Sequence, residues 1–152
     1  MPTEVLRAAL EKVQIASRAQ IVAQRPTIIL DAAHTVESIR ALRLAIEAHV
    51  PHKRLILIMG VSKDKDFDGM LKEILPVTWA AIFSKSDSPR AVEPETLAER
   101  AKALCDRDSK VVPVPAEALQ VARELASPDD LICITGSFFL AGKIKEALGG
   151  VT

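Results

Sequence analysis

Aromatic residues are scarce in this chain of 152 residues, where they make up 3% of the sequence and tyrosine is absent. Proteins that bind single-stranded nucleic acid commonly stack the bases on aromatic side chains. Net charge is lacking too, because 20 basic residues balance 20 acidic ones. Neither nucleic acid nor an anionic membrane surface is therefore expected as a partner.

Cysteine is nearly absent as well, and long apolar runs are missing. Cys105 and Cys133 lie far apart and lack the spacing of metal ligands, and Cys133 falls within an apolar run typical of a buried strand. No apolar stretch approaches the length of a membrane span, and no signal-peptide pattern opens the sequence. We therefore predict a monomeric, cytoplasmic protein with free thiols and no metal bound by its own side chains.

Three motifs that would identify a complete active site are also missing. The chain has no G-x-x-x-x-G-K-[ST] phosphate loop, no G-x-G-x-x-G dinucleotide fingerprint and no G-x-S-x-G nucleophile turn. These absences argue against a dinucleotide-binding Rossmann domain and an α/β-hydrolase. The chain does not carry a complete recognisable active site.

What the sequence does contain is an alternation of short apolar segments with segments of helical periodicity, over the length of one domain. The predicted strands are Gln20–Ala23, Thr27–Asp31, Arg54–Met59, Trp79–Phe83, Lys110–Val112 and Leu131–Thr135. The predicted helices are Thr3–Val13, Val36–His49, Phe67–Leu75, Pro94–Cys105, Ala116–Ala126 and a last one that starts at Gly136 and Ser137. This alternation, with short loops, predicts a three-layer α/β domain with a mostly parallel, Rossmann-like sheet.

The first 25 residues are predicted to lie outside this domain. They would form an appended helix followed by a short strand, and the segment from Ile15 to Gln24 has little helical pattern. Pro26 then restarts the chain into the domain proper, which would span residues 26–152.

The segment T-I-I-L-D-A-A-H-T, from Thr27 to Thr35, places polar side chains where a predicted strand ends. Asp31 and His34 follow its apolar run, and Thr35 is expected to cap the next helix. In open α/β sheets, ligands bind outside the carboxyl ends of the strands, and the free amides of a helix start favour an anion. A capping or loop-bracing pair is the commoner explanation of a lone D-x-x-H, so both interpretations stay open.

Two more polar turns follow predicted strands. In S-K-D-K-D, Asp66 can cap the next helix while the lysines are solvated. In G-S-F-F-L, Gly136 allows a close backbone approach, and Ser137 lies at a helix start suited to a carboxylate or phosphate. The same segment could be only a tight turn followed by core aromatic residues. Because all three turns fall at carboxyl ends of predicted strands, together they favour a binding site.

In combination, these segments resemble the C-terminal domain of folylpolyglutamate synthase/dihydrofolate synthase, within the Mur ligase superfamily. The family patterns P-G-R-x-E and P-x-x-I-L-D-G-A-H-N-P are similar to A-S-R-A-Q at residues 16–20 and R-P-T-I-I-L-D-A-A-H-T at residues 25–35. Its G-x-x-x-D-K-D matches residues 60–66, and its P-R-A with an acidic helix start matches residues 89–97. Its closing T-G-S-L-Y-L-x-G matches T-G-S-F-F-L-A-G at residues 135–142. The opening helix resembles the last helix of the family's preceding ATPase domain.

The resemblance implies one part of an ATP-dependent ligase that adds glutamate to a folate through an amide bond. The phosphate loop and the Mg²⁺ ligands would lie on a missing central domain over which this domain closes, and no activity is expected from this chain alone. By position in the family pattern, Arg18, Asp31 and His34 would contact ATP, with the arginine at its phosphates. Lys65 and Ser137 would lie towards the amino-acid substrate, and Ser137 would receive a carboxylate. The resemblance assigns no catalytic residue to this chain.

Two departures from the family pattern leave room for an altered activity. Thr35 stands where the family has asparagine, so any nucleotide contact by the amide is lost while a capping side chain is kept. Ala16 and Ser17 replace proline and glycine before Arg18, where domain closure would hinge. We favour the closing domain of a folate ligase. The alternatives are a stand-alone nucleotide- or anion-binding module that has lost ligase activity, and a structural or interaction domain that keeps only the fold.

Overall fold

A sheet of six strands forms the middle layer of the protein, in the order β1-β2-β6-β3-β4-β5. The computed structural model describes residues 19–149. The strands are β1 (Gln20–Ala23), β2 (Thr27–Leu30), β3 (Leu55–Met59), β4 (Ala80–Phe83), β5 (Lys110–Val111) and β6 (Leu131–Thr135). Edge strand β1 pairs antiparallel with β2, and the other neighbouring pairs are parallel. The predicted three-layer fold with a mostly parallel sheet is confirmed.

Five α-helices in the described residues cover the two faces of this sheet. They are α1 (Val36–His49), α2 (Phe67–Ile74), α3 (Pro94–Cys105), α4 (Pro115–Leu125) and α5 (Phe138–Ala147). Helices α1, α2 and α3 share one apolar cluster with one face of the sheet, and α4 and α5 share a second cluster with the other face. Within residues 19–149, no helix has both the length and the apolar character needed to cross a membrane.

The central strands are apolar throughout because both of their faces are covered. In β3, Leu55, Leu57 and Met59 belong to the first cluster, while Ile56 and Ile58 belong to the second. None of these five side chains is more than 2% exposed. Successive side chains of a strand point to opposite faces, so a strand between two helical layers needs an uninterrupted apolar run.

Arginine–carboxylate pairs connect the helices of the first layer. Arg40 and Arg43 of α1 both contact Glu73 of α2, at 2.9 and 3.0 Å. Arg100 of α3 contacts Asp68 of α2 at 2.9 Å. Hydrogen bonds from these guanidinium groups lower the pKa of both carboxyl groups. Because pairs of this kind are exposed to solvent, each adds little to stability, and their main effect is to orient the helices.

Most predicted boundaries agree with the structure to within one residue. The predicted helix Phe67–Leu75 ends at Ile74 instead, and a short 3₁₀ helix over Leu75–Val77 follows. The α-helix stops there because Pro76 has no N–H to donate to the preceding turn. The predicted strand Gln20–Ala23 is confirmed as β1. The predicted helix Thr3–Val13 lies outside the described residues, and the domain boundary at Pro26 stays a prediction.

Candidate functional site

Four neighbouring strands end at the same edge of the sheet, and a loop with polar side chains follows each of them. In the spatial order β2, β6, β3 and β4, these loops contain His34, Ser137, Lys65 and Arg90. The carboxyl ends of parallel strands point the same way, so the four loops lie side by side. The edge that the sequence predicts as a site is thus built from segments that are far apart along the chain.

Two glycines let these loops approach one another closely. Gly136 has a φ of +104°, and a Cβ added to it would lie 2.5 Å from the carbonyl oxygen of Gly60. A Cβ on Gly60 would lie 2.7 Å from the carbonyl oxygen of Ser84. A side chain at either position would therefore push apart the loops that follow β6, β3 and β4. The close backbone approach predicted for Gly136 is confirmed.

Asp31 is a buried brace between the β2 loop and the end of β6. It is 1% exposed, and its Oδ2 accepts hydrogen bonds from the Ala33 N–H at 2.7 Å and the Thr135 hydroxyl at 3.1 Å. Its backbone N–H donates to the carbonyl oxygen of Ile134 at 2.9 Å. These bonds fix the conformation of the loop that carries His34. The loop-bracing interpretation describes these contacts, and the contact of Asp31 with ATP stays a prediction.

Thr35 and Ser38 form a capping box at the start of α1. The Thr35 hydroxyl oxygen accepts from the Ser38 N–H at 3.1 Å, and the Ser38 hydroxyl oxygen accepts from the N–H groups of Thr35 and His34 at 3.0 and 3.1 Å. Such reciprocal bonds satisfy N–H groups that a helix start leaves without intrahelical partners. The predicted cap is confirmed, and it also fixes the backbone at His34.

The His34 side chain is exposed and has one nitrogen free for a ligand. Its Nδ1 lies 2.9 Å from the carbonyl oxygen of Ala32. A carbonyl oxygen can only accept, so Nδ1 carries the proton in the neutral ring. The other nitrogen, Nε2, is then an acceptor for a ligand hydroxyl, and in the imidazolium form it is a donor to an anion.

A short bridge between two loops brings Lys65 and Arg90 to the same place. Ser62 and Ala91 pair as an antiparallel β-bridge, and the Lys63 N–H donates to the carbonyl oxygen of Arg90 at 2.7 Å. The Lys65 N–H donates back to the carbonyl oxygen of Ser62 at 3.1 Å. The loop after β3 and the loop after β4 are therefore held together through their backbones.

These loops surround an open cavity of about 230 Å³. It is lined by His34, Ser62, Asp64, Lys65, Arg90, Ser137, Phe138 and Phe139. Three site residues predicted from the sequence, His34, Lys65 and Ser137, meet here, while Asp31 is not among the lining residues. Arg90 joins them, although the sequence interpretation assigned it no role. The one sequence feature that could have pointed to it is its place in the P-R-A segment after a predicted strand.

Positive charge dominates the lining of this cavity. Lys65 and Arg90 each carry a positive charge, and Asp64, whose carboxylate oxygen lies 3.8 Å from the Lys65 ammonium, is the one acidic residue. No carboxylate within residues 19–149 forms an ion pair with Arg90. Because cationic side chains form their strongest hydrogen bonds with carboxylates and phosphates, the cavity favours an anionic ligand group.

Ser137 caps α5 with its own side chain. Its hydroxyl oxygen accepts from the N–H groups of Phe139 and Leu140 at 3.1 and 3.3 Å. The Gly136 N–H is also engaged, since it donates to the carbonyl oxygen of Ala33 at 3.0 Å. The Ser137 hydroxyl proton can still be donated to a ligand oxygen. This helix start therefore offers an O–H donor at the cavity.

The two aromatic residues that follow Ser137 are exposed. Phe138 and Phe139 are 67% and 57% exposed, whereas Leu140 and Ile144 are fully buried. The interpretation of this segment as a turn followed by core aromatic residues is wrong for both rings. The reason is helical periodicity, because the buried face of α5 is formed by residues four positions apart.

A larger cavity of about 430 Å³ lies at the opposite edge of the sheet. Its two carboxylates already have cationic partners, Arg54 at 2.8 Å from Asp130 and Lys53 at 3.6 Å from Asp129. Arg54 lowers the pKa of the Asp130 carboxyl group and also lies 3.8 Å from the centre of the Trp79 ring. Ligand sites of parallel sheets form at the carboxyl ends of strands, so we assign the candidate site to the smaller cavity.

The described part of the chain does not fit a metal site. Within residues 19–149, no three His, Cys, Asp or Glu side chains lie close enough together to hold a metal ion. Arg18, which the sequence predicts at the phosphates of ATP, lies outside the described residues.

Residues 17–138 match the family model described as Mur ligase, glutamate ligase domain. The match covers most of the chain and includes the four loops that surround the candidate cavity. This chain belongs to that family. The membership confirms the resemblance inferred from the ordered motifs, and it places the cavity in the glutamate ligase domain of a Mur ligase.

The relatives are longer enzymes, of which this chain spans about a third. The dihydrofolate synthase/folylpolyglutamate synthase of Bacillus subtilis (strain 168) is 24% identical over 145 residues, which cover 95% of this chain and 33% of the relative. The chain also superposes on E. coli FolC in complex with ADP, with 25% identity and a TM-score of 0.80 over 89% of this chain and 32% of that one. Mycobacterium tuberculosis folylpolyglutamate synthase complexed with ADP and AMPPCP gives 32% identity and a TM-score of 0.75, over 82% and 30% of the two chains.

Proposed function

We propose that this chain is the glutamate ligase domain of a cytoplasmic, ATP-dependent ligase of the folylpolyglutamate synthase/dihydrofolate synthase type. The proposal depends above all on the cavity where His34, Lys65, Arg90 and Ser137 converge. Its excess of positive charge suits the carboxylates and phosphates of the substrates in such a reaction. Family membership and the relatives' names support the same reaction class.

A separate ATPase domain is the second part of the proposal. The sequence has no phosphate loop, residues 19–149 have no cluster of metal ligands, and the relatives are about three times as long. We propose that residues 1–25, whose strand β1 pairs with β2 at the edge of the sheet, connect the domain of residues 26–152 to a domain that holds the ATP phosphates and Mg²⁺. The candidate cavity would then face the nucleotide when the two domains close.

Lys65, Arg90 and Ser137 would bind the amino-acid substrate. In the proposed reaction, ATP phosphorylates a folate carboxylate, and the amine of glutamate attacks the acyl phosphate, loses a proton and displaces phosphate. The two cations would hold a carboxylate of glutamate through charge-assisted hydrogen bonds, and the serine hydroxyl would donate a further one. Fixing the carboxylate orients the amine towards the acyl carbon, which lowers the entropic cost of the attack.

Arg18, Asp31 and His34 would serve the nucleotide. The exposed Nε2 of His34 can accept a hydrogen bond from a ribose hydroxyl. Asp31 would act through the loop, since its carboxylate bonds to Ala33 and Thr135. Arg18 would contact the phosphates. In this arrangement the chain supplies positioning groups for both substrates.

The proposal is tested by joining the chain to the ATPase part of the Bacillus subtilis relative and measuring ATP-dependent glutamate ligation. We expect no ligation by this chain alone and ligation by the joined protein. Lys65→Ala and Arg90→Ala should each raise the KM for glutamate by about 10- to 100-fold. That factor corresponds to the free energy of one hydrogen bond to a charged group. His34→Ala should raise the KM for ATP instead.

Lys53→Ala and Arg123→Ala serve as matched controls, because they remove one lysine and one arginine side chain at positions away from the cavity. Melting curves verify that every variant is folded. If the site and control variants have equal KM values, the cavity does not bind glutamate. Calorimetry of the chain alone should show ATP binding no tighter than about millimolar. Sub-micromolar binding would instead support a stand-alone nucleotide-binding module.

A further inference from the structure

Two of the five aromatic residues of this chain lie at the rim of the candidate cavity and are exposed. The chain has four phenylalanines and one tryptophan. Phe138 and Phe139 are 67% and 57% exposed, and both line the cavity. Neither ring contributes to the apolar clusters that hold the fold together. Their position therefore calls for an explanation other than folding.

The two rings form a corner. Their centroids are 6.2 Å apart and their planes meet at 89°, an edge-to-face pair. A third planar ring that enters such a corner can stack on the face of one phenyl group and meet the edge of the other. Both are favourable arrangements of aromatic rings. The corner is thus shaped for a planar aromatic group.

The surroundings of the rings favour a small ligand over a protein partner. A docking surface for a protein needs a broad apolar patch. The other large exposed apolar side chains within residues 19–149, Leu44, Trp79 and Val114, do not line this cavity. What adjoins the rings is instead a lining with two cations.

We propose that Phe138 and Phe139 hold the aromatic ring of a substrate whose anionic group lies in the cavity at Lys65 and Arg90. This inference rests on the proposed function and specifies the ligand as an aromatic ring that carries a nearby carboxylate or phosphate. Two sources have this chemistry. One is an aroyl-glutamate, in which an amide joins the ring to the amino acid, and the other is a purine nucleotide.

Matched ligand pairs with and without the ring test the proposal on the chain itself. The first pair is p-aminobenzoylglutamate and N-acetylglutamate, and the second is AMP and ribose 5-phosphate. Affinities would be measured by titration monitored by NMR chemical shifts. In one of the two pairs, we expect the member with the ring to bind about fivefold tighter than the member without it, which corresponds to the usual interaction energy of two aromatic rings. That pair identifies the source of the ring.

The double variant Phe138→Leu/Phe139→Leu keeps apolar side chains but removes the rings. We expect it to abolish the preference for the ring, whereas Phe139→Tyr should keep it and Leu44→Ala should not change it. Equal affinities within both ligand pairs, or a preference that survives in the double variant, would overturn the proposal. Melting curves verify that each variant is folded.

The same titrations separate this inference from the proposed function. N-acetylglutamate reports on the cationic cavity alone, and Lys65→Ala should weaken its binding. If N-acetylglutamate binds in this way while the ring adds nothing, the aromatic corner has no role in binding and the carboxylate site stands. If neither glutamate derivative binds, the carboxylate site is refuted. The ring site is refuted as well if AMP then binds no tighter than ribose 5-phosphate.

Discussion

Adding a single methyl group at Gly136 should destabilise this domain more than most single substitutions do. A Cβ at this position would lie 2.5 Å from the carbonyl oxygen of Gly60, 3.0 Å from Val61 and 3.1 Å from Met59. Val61 and Met59 are 2% and 0% exposed. Because these neighbours are packed in the core, they cannot move aside without disturbing other contacts.

Two costs add up in Gly136→Ala. The backbone has a φ of +104°, which L-residues rarely adopt and which costs about 1–3 kcal/mol. Overpacking against buried neighbours costs about 1–3 kcal/mol more. We therefore expect the free energy of unfolding to fall by about 4 kcal/mol, a large part of the roughly 5–15 kcal/mol by which domains are stable.

Gly142→Ala makes the same chemical change at a position where the structure predicts that the free energy of unfolding rises instead of falling. Gly142 is an exposed residue within α5, and a Cβ there would meet no atom within 4 Å. Alanine stabilises a helix interior by about 0.5–1 kcal/mol relative to glycine. Urea unfolding followed by circular dichroism measures both variants against the parent. A Gly136→Ala variant within 1 kcal/mol of the parent, or a destabilised Gly142→Ala variant, would refute the reasoning.

Two further predictions concern buried groups away from the site. Hydrogen bonds from Arg54 lower the pKa of Asp130 in the folded state. The stability that the Asp130 carboxylate contributes is therefore present above its unfolded pKa of about 3.9, and it is lost as the pH falls through the folded pKa. Asp130→Asn should therefore lower the free energy of unfolding by about 2 kcal/mol at neutral pH, whereas in strong acid it should have little effect. Urea titrations at both pH values measure this, and equal losses of stability would contradict the prediction. Burial raises the pKa of the Cys133 thiol, so a thiol reagent should label only Cys105 in the folded protein and both cysteines in urea; rapid labelling of both without urea would contradict the structure.

The fold could be predicted because its determinants are local. Helix α3 matches the predicted range because Pro94 occupies its first turn and Asp106, in the left-handed conformation, ends it. Strand β6 matches because four apolar residues lead to Thr135 and the next residue is Gly136. Each of these boundaries is determined by residues within a few positions of it.

The composition of the site was only partly predictable because it depends on contacts between distant segments. His34 and Ser137 could be named from strand ends, and Lys65 from its place in the family pattern. Arg90 could not, because its place follows from the bridge that joins Ser62 to Ala91, 29 residues further along the chain. The exposure of the aromatic pair was missed for a different reason, since apolar residues in the first turn of a helix are expected to face the core.

The cavity has the properties of one wall of a larger site. About 230 Å³ is less than the roughly 300–1,000 Å³ of pockets that enclose a small molecule, so residues 19–149 do not by themselves enclose such a ligand. The wall is nevertheless rigid, because Gly136 and Gly60 pack backbone against backbone and Asp31 braces two loops. A second wall that closed over it would lower the local dielectric constant and strengthen the interactions of Lys65 and Arg90 with an anion. The lining has two cations against one carboxylate, so an excess of positive charge is left for an anion. A preformed wall of this kind gains from closure, because the backbone that carries the charged groups does not have to rearrange when a ligand is enclosed.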